Sequence, residues 1–165
     1  MAHVIIIYGS TGGNTEMVCQ KIAEILKKKN HKTTLQRAEW SKPEDLTKGD
    51  LCILGSPTYE HGVIQHHMGA FLKQCKIITR DHRFAVVGLG DPKYDEHYNI
   101  ESANILEAFV KEHGGEEVIH PLRINKTPIP HLENEITEWA LHLSKLLGIV
   151  QSLKSPVNQG WVSPA

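Results

Sequence analysis

Short runs of apolar residues alternate with amphipathic segments along most of the chain, and this alternation constrains the fold more than any other feature of the sequence. The runs HVIIIY (residues 3–8), LCILG (51–55) and FAVVGL (84–89) are apolar at successive positions rather than at every second one. Strands of that kind have both faces covered, as in a parallel sheet whose strands are joined by helices. The alternation therefore predicts an α/β fold, a three-layer sandwich with a doubly wound parallel sheet.

Apolar residues at helical spacing predict helices over residues 14–29, 67–75, 100–113 and 132–147. Further strand-like runs occupy residues 32–35, 117–119 and 122–124, and we expect Pro121 to break the last strand. The order βαβαβαβαβα predicts five strands. Residues 151–165 contain Pro156, Gly160 and Pro164 and are expected to form a tail without a helix of its own. We therefore expect one domain over residues 1–148 and a C-terminal tail over residues 149–165.

The composition argues against several classes of function. The chain has 18 Lys and Arg against 19 Asp and Glu, so no excess of positive charge favours a nucleic-acid partner. No apolar run approaches the roughly 20 residues of a membrane-spanning helix, so no membrane partner is expected. Cys19, Cys52 and Cys75 lack CxxC spacing, which favours reduced, buried thiols and a cytoplasmic protein. We expect Trp40 and Trp139 to be packing residues.

The segment YGSTGGNTE, directly after the first strand, is typical of an anion-binding loop. Gly9, Gly12 and Gly13 let the backbone approach a ligand, and the amides that begin the next helix carry a partial positive charge. The Walker pattern is absent because no lysine follows the last glycine, and the GxGxxG pyrophosphate pattern is absent too. A terminal monophosphate held by amides and hydroxyls fits best. The alternative is an ordinary turn in which Asn14 or Thr15 caps the helix.

Two further loops follow apolar strands, at residues 56–67 and 90–99. Ligands bind at the carboxyl ends of the strands in such sheets, which places all three loops at one site. Each of the two loops carries a tyrosine, Tyr59 or Tyr94, and two rings on opposite loops could sandwich a planar group. A phosphate with a flat aromatic head describes a mononucleotide. The alternative is that both tyrosines are ordinary surface residues.

These three motifs resemble those of the flavodoxin family. YGSTGGNTE is similar to the family's phosphate loop, GSPTYEHG to its second flavin loop and GLGDPKY to its third, in the same order and spacing over roughly residues 1–147. The resemblance implies a five-stranded sheet of order 2-1-3-4-5, one non-covalently bound flavin mononucleotide (FMN) and electron transfer. No long insertion interrupts residues 116–125, so the chain resembles the short-chain flavodoxins.

The resemblance also implies which residues bind FMN. The first loop would hold the phosphate, the second would line the inner face of the flavin ring, and the third would meet the ring edge and the outer face. By position, these three sets are Ser10, Thr11, Gly12, Gly13, Asn14 and Thr15; Pro57, Thr58, Tyr59, Glu60, His61 and Gly62; and Leu89, Gly90, Asp91, Tyr94, Tyr98 and Asn99.

The chain departs from the family pattern after the inner aromatic residue. Flavodoxins commonly have glycine there, and a peptide of that segment flips toward flavin N5, but here the position is Glu60 and the glycine is Gly62. Glycine tolerates such a flip because it has no Cβ. We expect the flip to occur at the peptide between His61 and Gly62 or to be weaker. The neutral semiquinone should still form, over a narrower range of potential.

A second departure concerns charge, since flavodoxins are usually acidic and this chain is near neutral. Because imidazoles titrate near neutral pH, histidines beside the flavin loops should make the reduction potential rise more steeply below about pH 6.5. These residues are His61, His66, His67 and His97. His66 and His67 are adjacent on a helix and expected to point apart, so we predict no metal site.

We interpret the protein as an electron carrier and not an enzyme. Its expected partners are a donor of the flavodoxin/ferredoxin reductase type and an unidentified acceptor, and we expect a monomer. The alternative is an FMN-dependent oxidoreductase similar to a quinone reductase, or a flavin activator of a radical enzyme. A receiver domain is disfavoured because the first strand ends in Tyr8-Gly9, and a cysteine phosphatase because residues 9–15 contain no thiol.

Overall fold

The computed structural model describes residues 1–76, 79–91 and 100–159, without the side chains of residues 60 and 150–159. The strands are β1 (His3–Tyr8), β2 (Lys32–Arg37), β3 (Leu51–Tyr59), β4 (Val63–Ile64), β5 (Arg83–Gly90), β6 (Glu116–Glu117) and β7 (Leu122–Asn125). The helices are α1 (Asn14–Lys28), α2 (His66–Gln74), α3 (Glu101–Glu112) and α4 (Thr137–Gln159). Short 3-10 helices lie at Ala38–Trp40, Pro43–Thr47, Glu60–Gly62 and Ile129–His131, and a π-helical turn at Leu132–Ile136 precedes α4.

The sheet has the strand order β2-β1-β3-β5, with β6 and β7 both paired to β5. Every pairing is parallel except that of β4, which is antiparallel to the end of β3. β6 pairs with the start of β5 and β7 with its end, so the two are halves of one strand interrupted around Pro121. With β6 and β7 counted as one strand and the short β4 set aside, the predicted order 2-1-3-4-5 is confirmed.

The apolar runs arise because the sheet has a core on each face. In β1, Val4 and Ile6 pack with α1 and α4, whereas Ile5 and Ile7 pack with α2 and α3. All four side chains are at most 2% exposed. Burying a side chain of this size contributes roughly 1.5–3 kcal/mol, so a central strand with both faces covered has no position where a polar residue is favoured. The predicted three-layer sandwich is confirmed.

Two elements are longer than the sequence pattern indicates. β3 does not end at Gly55 but continues to Tyr59, because Ser56 and Pro57 still pair with β5 and the last two residues pair with β4. The expectation of a helix-free tail is wrong for residues 151–159, which continue α4 to Gln159. In the sequence, Leu146, Val150 and Leu153 stand at helical spacing, a signal that the prediction from Pro156 did not use.

The two tryptophans within the described residues differ in environment. Trp139 is 3% exposed and its Nε1 donates to the His120 carbonyl at 2.8 Å, as expected for a packing residue. The same expectation for Trp40 is wrong, because that side chain is 75% exposed and lies beside Arg37, at the end of β2. A short 3-10 helix carries Trp40 out of the sheet layer before the chain returns to the core at Leu46.

All three cysteines are buried free thiols, as predicted. Burial raises the pKa of Cys19 to about 12, with the Glu16 carboxylate adding to the effect, and raises the pKa of Cys75 to about 11. These thiols therefore stay protonated at neutral pH. Within residues 1–76, 79–91 and 100–159, none of the helices has the length and hydropathy of a membrane span.

Candidate cofactor-binding site

The carboxyl ends of β1, β3, β5 and β7 meet at one edge of the sheet, as the parallel pairing requires. A cavity of about 220 Å³ opens there. It brings together parts of all three predicted loops and one segment that was not predicted. Its lining consists of Asn14, Pro57, Thr58, Tyr59, Leu89, Gly90, Asp91, Lys126 and Thr127.

The first loop leaves its backbone open. Gly13 is the N-cap of α1 and lies in the left-handed region, at φ 91°, and its carbonyl accepts the Met17 N–H at 3.0 Å. A Cβ added at Gly12 or Gly13 would meet no atom within 4 Å, so a ligand can approach the main chain there. No side chain caps α1, so the alternative in which Asn14 or Thr15 is the N-cap is wrong.

Two hydroxyls of this loop differ in their partners. Ser10 is 3% exposed, and its Oγ accepts the Gly13 N–H at 3.1 Å. Thr15 is 1% exposed, and its Oγ1 is buried without a hydrogen-bond partner in the described structure. Leaving a buried hydroxyl unsatisfied costs roughly 1–3 kcal/mol, so such an atom at a helix N-terminus is a feature that a bound anion would relieve.

A cation supports this loop from outside it. Arg37, at the end of β2, donates from Nη2 to the Ser10 carbonyl at 2.6 Å and from Nη1 to Glu16 at 2.7 Å. Its Nε donates to Glu39 at 3.1 Å. The rings of Tyr8 and Trp40 lie 5.7 and 5.8 Å from the guanidinium carbon. Sequence reasoning missed Arg37, although its place at a strand carboxyl end was the available signal.

Gln65 connects the first loop to the second. Its side chain is fully buried, donates from Nε2 to Thr11 Oγ1 at 3.4 Å, and accepts the Met68 N–H through Oε1 at 2.9 Å. Its backbone N–H donates to Ser56 Oγ at 3.1 Å. Gly9 must lack a side chain because a Cβ there would overlap Gln65 Oε1.

The second loop is a hairpin anchored at its base. Thr58 is buried, and its hydroxyl donates to Ser102 Oγ at 2.8 Å, while the Ser102 N–H donates back at 3.0 Å. Tyr59 follows, 37% exposed at the mouth of the cavity. The turn places His61 at φ 62° and Gly62 at φ 69°. Both residues of this peptide, one of the two alternatives for the flip, are therefore in the left-handed region, where glycine is tolerated and histidine is strained.

The third loop is described only at its start. Leu89, Gly90 and Asp91 lie at the cavity, where the Lys126 N–H donates to the Gly90 carbonyl at 2.7 Å. This bond extends the β5–β7 ladder and brings Lys126 and Thr127 to the site. The strand-end rule that located the other loops would have found them as well. The predicted residues Tyr94, Tyr98 and Asn99, and His97, lie outside the described residues.

The family model described as flavodoxin matches residues 6–139. The chain belongs to the flavodoxin family. Flavodoxins bind FMN and are electron carriers, so family membership confirms the predicted cofactor and class of function.

Individual relatives match more than four fifths of this flavodoxin-family chain. It is 28% identical to protein MioC of Escherichia coli (strain K12) over 142 residues, which are 84% of this chain and 94% of that protein. It is 27% identical to a flavodoxin of Nitratidesulfovibrio vulgaris over 146 residues, 85% and 95% of the two chains. The structure of oxidised flavodoxin 2 from Bacillus cereus matches with a TM-score of 0.75 at 29% identity and covers 89% of this chain and 98% of that one.

The residues present fit FMN. Open main chain at Gly12 and Gly13 and the unsatisfied Thr15 hydroxyl suit a phosphate, and they lie at the same sheet edge as the cavity beside Tyr59. A larger cavity of about 430 Å³ lies between β7 and α4, lined in part by Trp139, but none of the predicted FMN residues borders it.

The prediction that His66 and His67 point apart is wrong, because their ring centroids are 3.9 Å apart. Both residues lie in the first turn of α2, and the Glu39 carboxylate lies 3.7 Å from His67 Nε2. In the part of the chain that the structure describes, no group of three His, Cys, Asp or Glu side chains is placed to hold a metal ion.

Proposed function

We propose that this flavodoxin-family protein holds FMN in the loops at the carboxyl edge of the sheet and carries electrons between redox proteins without acting on a small-molecule substrate. The observation that carries the proposal is the unsatisfied Thr15 hydroxyl in the first turn of α1, directly after an open glycine loop and at the same sheet edge as the cavity bordered by Tyr59. Bound FMN supplies the ability to accept one or two electrons. The protein supplies the orientation and the surroundings.

Each loop has its own part in the proposed site. The first loop donates hydrogen bonds to the phosphate, the second covers the inner face of the ring with Tyr59, and the third meets the ring edge. Lys126 and Thr127 extend the proposed site on the β7 side, where they border the same cavity as Asp91. The proposed residues are Ser10, Thr11, Gly12, Gly13, Asn14 and Thr15; Pro57, Thr58, Tyr59, Glu60, His61 and Gly62; Leu89, Gly90, Asp91, Tyr94, Tyr98 and Asn99; and Lys126 and Thr127.

The role of carrier implies partners that approach the exposed edge of the site. We propose a flavodoxin/ferredoxin reductase-type donor, a separate protein acceptor, and a cytoplasmic monomer with the FMN-binding domain in residues 1–148. Tyr59 supports the role of carrier, because an aromatic side chain at the mouth of the cavity leaves less room for a substrate to stack on that face of the ring.

The visible absorption spectrum of the purified protein tests this proposal, together with titration of the apoprotein with FMN. We expect flavin absorption bands, tight uptake of FMN, and NAD(P)H:quinone activity only when a separate reductase is added. Protein that stays colourless with excess FMN would contradict the cofactor site. Quinone reduction at a substantial rate without an added reductase would contradict the role of carrier and favour an oxidoreductase.

A further inference from the structure

Arg37 fixes the direction of one peptide in the phosphate loop. Its guanidinium is held by Glu16 on Nη1, by Glu39 on Nε and by the rings of Tyr8 and Trp40. The remaining bond, from Nη2 to the Ser10 carbonyl at 2.6 Å, therefore comes from a donor that is itself immobilised. The planar guanidinium of an arginine that is held by several partners fixes its acceptor more firmly than the flexible ammonium group of a lysine would.

The orientation of the Ser10 carbonyl decides the orientation of the next amide. In a trans peptide the C=O and the following N–H point in opposite directions, so the Thr11 N–H points away from Arg37. The loop past Thr11 is open main chain, since a Cβ at Gly12 or Gly13 would meet no atom within 4 Å. Rotating this peptide would turn a carbonyl oxygen, instead of an N–H, toward a bound phosphate.

Gln65 fixes the second donor of the same residue. Its Oε1 accepts the Met68 N–H at 2.9 Å, which identifies the other amide atom as the NH₂ group. That group donates to Thr11 Oγ1 at 3.4 Å, so the oxygen acts as an acceptor on the protein side. The hydroxyl proton of Thr11 is then free to be donated to a ligand.

We propose that Arg37 and Gln65 are positioning residues that turn the amide and the hydroxyl of Thr11 toward the phosphate of FMN. The inference rests on the proposed phosphate site. Neither residue needs to touch the cofactor: Arg37 acts through the Ser10 peptide and Gln65 through the Thr11 hydroxyl. Their effect is therefore confined to ligands that carry the phosphate, and it distinguishes FMN from riboflavin.

The first test is Arg37→Lys, which keeps the charge but loses the fork. Dissociation constants of the apoprotein for FMN and for riboflavin are measured by quenching of flavin fluorescence. One misdirected donor to a charged group corresponds to roughly a tenfold loss of FMN affinity, and riboflavin affinity should change less than about twofold. The matched control is Arg80→Lys, an exposed residue near Gly114 and away from the phosphate loop, which should change neither constant.

Salt dependence separates orientation from bulk charge. If Arg37 acted only by offsetting Glu16 and Glu39, the effect of Arg37→Lys on FMN affinity would be small and would diminish between about 0.05 M and about 0.5 M salt. We expect the FMN-to-riboflavin ratio to fall to a similar extent at both concentrations. Equal losses for FMN and riboflavin, or an unchanged ratio, would overturn the role of Arg37.

A double-mutant cycle tests Gln65 and remains informative if the Arg37 variant does not fold. Gln65→Met should lower FMN affinity about fivefold in the wild-type background and leave it unchanged when Thr11→Val has removed the hydroxyl. The same loss in both backgrounds would refute the role of Gln65. Wild-type protein that binds neither FMN nor riboflavin would instead refute the proposed function, so the two failures are distinguishable.

Discussion

At the scale of single residues, two glycines of the candidate site are needed for different reasons. A Cβ at Gly12 would meet no protein atom, and the backbone there is one that other residues can adopt. Folding therefore does not require glycine at this position, and we expect the missing side chain to leave room for a ligand. Gly62 has φ 69°, and a Cβ there would lie 3.2 Å from Glu101 Cγ, so its lack of a side chain serves the turn itself. Replacing each by alanine separates ligand binding from folding.

Gly12→Ala should leave the free energy of unfolding of the apoprotein unchanged or raise it by up to about 1 kcal/mol, because alanine restricts the unfolded chain. The same change should weaken FMN binding, since its Cβ occupies the approach to the main chain. Gly62→Ala should lower the free energy of unfolding by roughly 1–2 kcal/mol through left-handed strain. Urea denaturation and FMN titration measure both quantities. If Gly12→Ala binds FMN normally, the phosphate does not lie at this part of the loop.

At the scale of elements, charged side chains connect β6, α3 and β7 at the outer edge of the sheet. Glu117 on β6 lies against Glu107 on α3, and Arg123 on β7 donates to Glu107 at 3.2 Å. Burial raises the pKa of Glu117 to about 7, and the hydrogen bond and repulsion from Glu107 add to the rise, while Arg123 opposes it. The folded protein therefore binds a proton that the unfolded chain loses near pH 4.5.

Between pH 4.5 and pH 7 the folded state holds more protons than the unfolded state at this site, so its contribution to stability falls as pH rises through that interval and is constant above it. Glu117→Gln should remove this loss and raise the free energy of unfolding at pH 8 by roughly 1 kcal/mol, after allowance for solvent screening. Glu116→Gln makes the same change of charge at an exposed position of β6. Equal pH profiles of Glu117→Gln and wild type would contradict the raised pKa of Glu117.

The sequence predicts an element well where burial of that element produces a clear pattern of apolar residues. The strands around Ile5, Ile53 and Val86 are readable because every position is apolar, and the helices because one face is. β4 is too short to leave such a record, and its existence depends on pairing with Thr58 and Tyr59. Element ends at β3 and α4 depend on contacts and apolar spacing beyond the obvious stop signals at Gly55 and Pro156.

At the scale of the whole molecule, His31 joins three elements. Its Nδ1 accepts the Ala2 N–H at 3.2 Å, next to the start of β1, and its Nε2 lies 3.1 Å from Ser144 Oγ on α4. The residue itself follows α1. Because Nδ1 accepts, the neutral ring carries its proton on Nε2 and donates it to Ser144. Burial lowers the pKa of His31 below its usual 6.5, and the positive amino terminus adds to the effect.

The unfolded chain therefore binds a proton at His31 more readily than the folded protein, and stability falls as pH drops below 6.5 toward the lower folded pKa. His31→Gln should remove this part of the acid dependence. Thermal unfolding of the apoproteins from pH 8 to pH 5 measures it. We expect the difference in melting temperature between wild type and His31→Gln to be constant near pH 8 and to shift in favour of the variant at acid pH. A constant difference throughout would contradict the assignment.

The sequence predicts those parts of the candidate site that have a recognisable motif next to a predicted strand. The glycines of the first loop and the tyrosine of the second lie directly after apolar strands, so one rule locates both. Arg37 ends β2, so the strand-end rule places it at this edge of the sheet. Its contact with Ser10 and that of Gln65 with Thr11 could not be predicted, because these partners are distant in sequence and only the strand order brings them together. Lys126 likewise reaches the site through the register of β7 against β5.

The parallel ladder between β3 and β5 ends at Pro57, whereas β3 continues for two more residues and pairs only with β4. The tip of that hairpin, which includes Tyr59 and Val63, follows Thr58, whose hydroxyl is hydrogen-bonded to Ser102 on α3. Val63 is 54% exposed and lies opposite Tyr59. Substitutions of the exposed side chains Tyr59 and Val63 should therefore change the surface at the mouth of the cavity and leave the β3–β5 ladder intact.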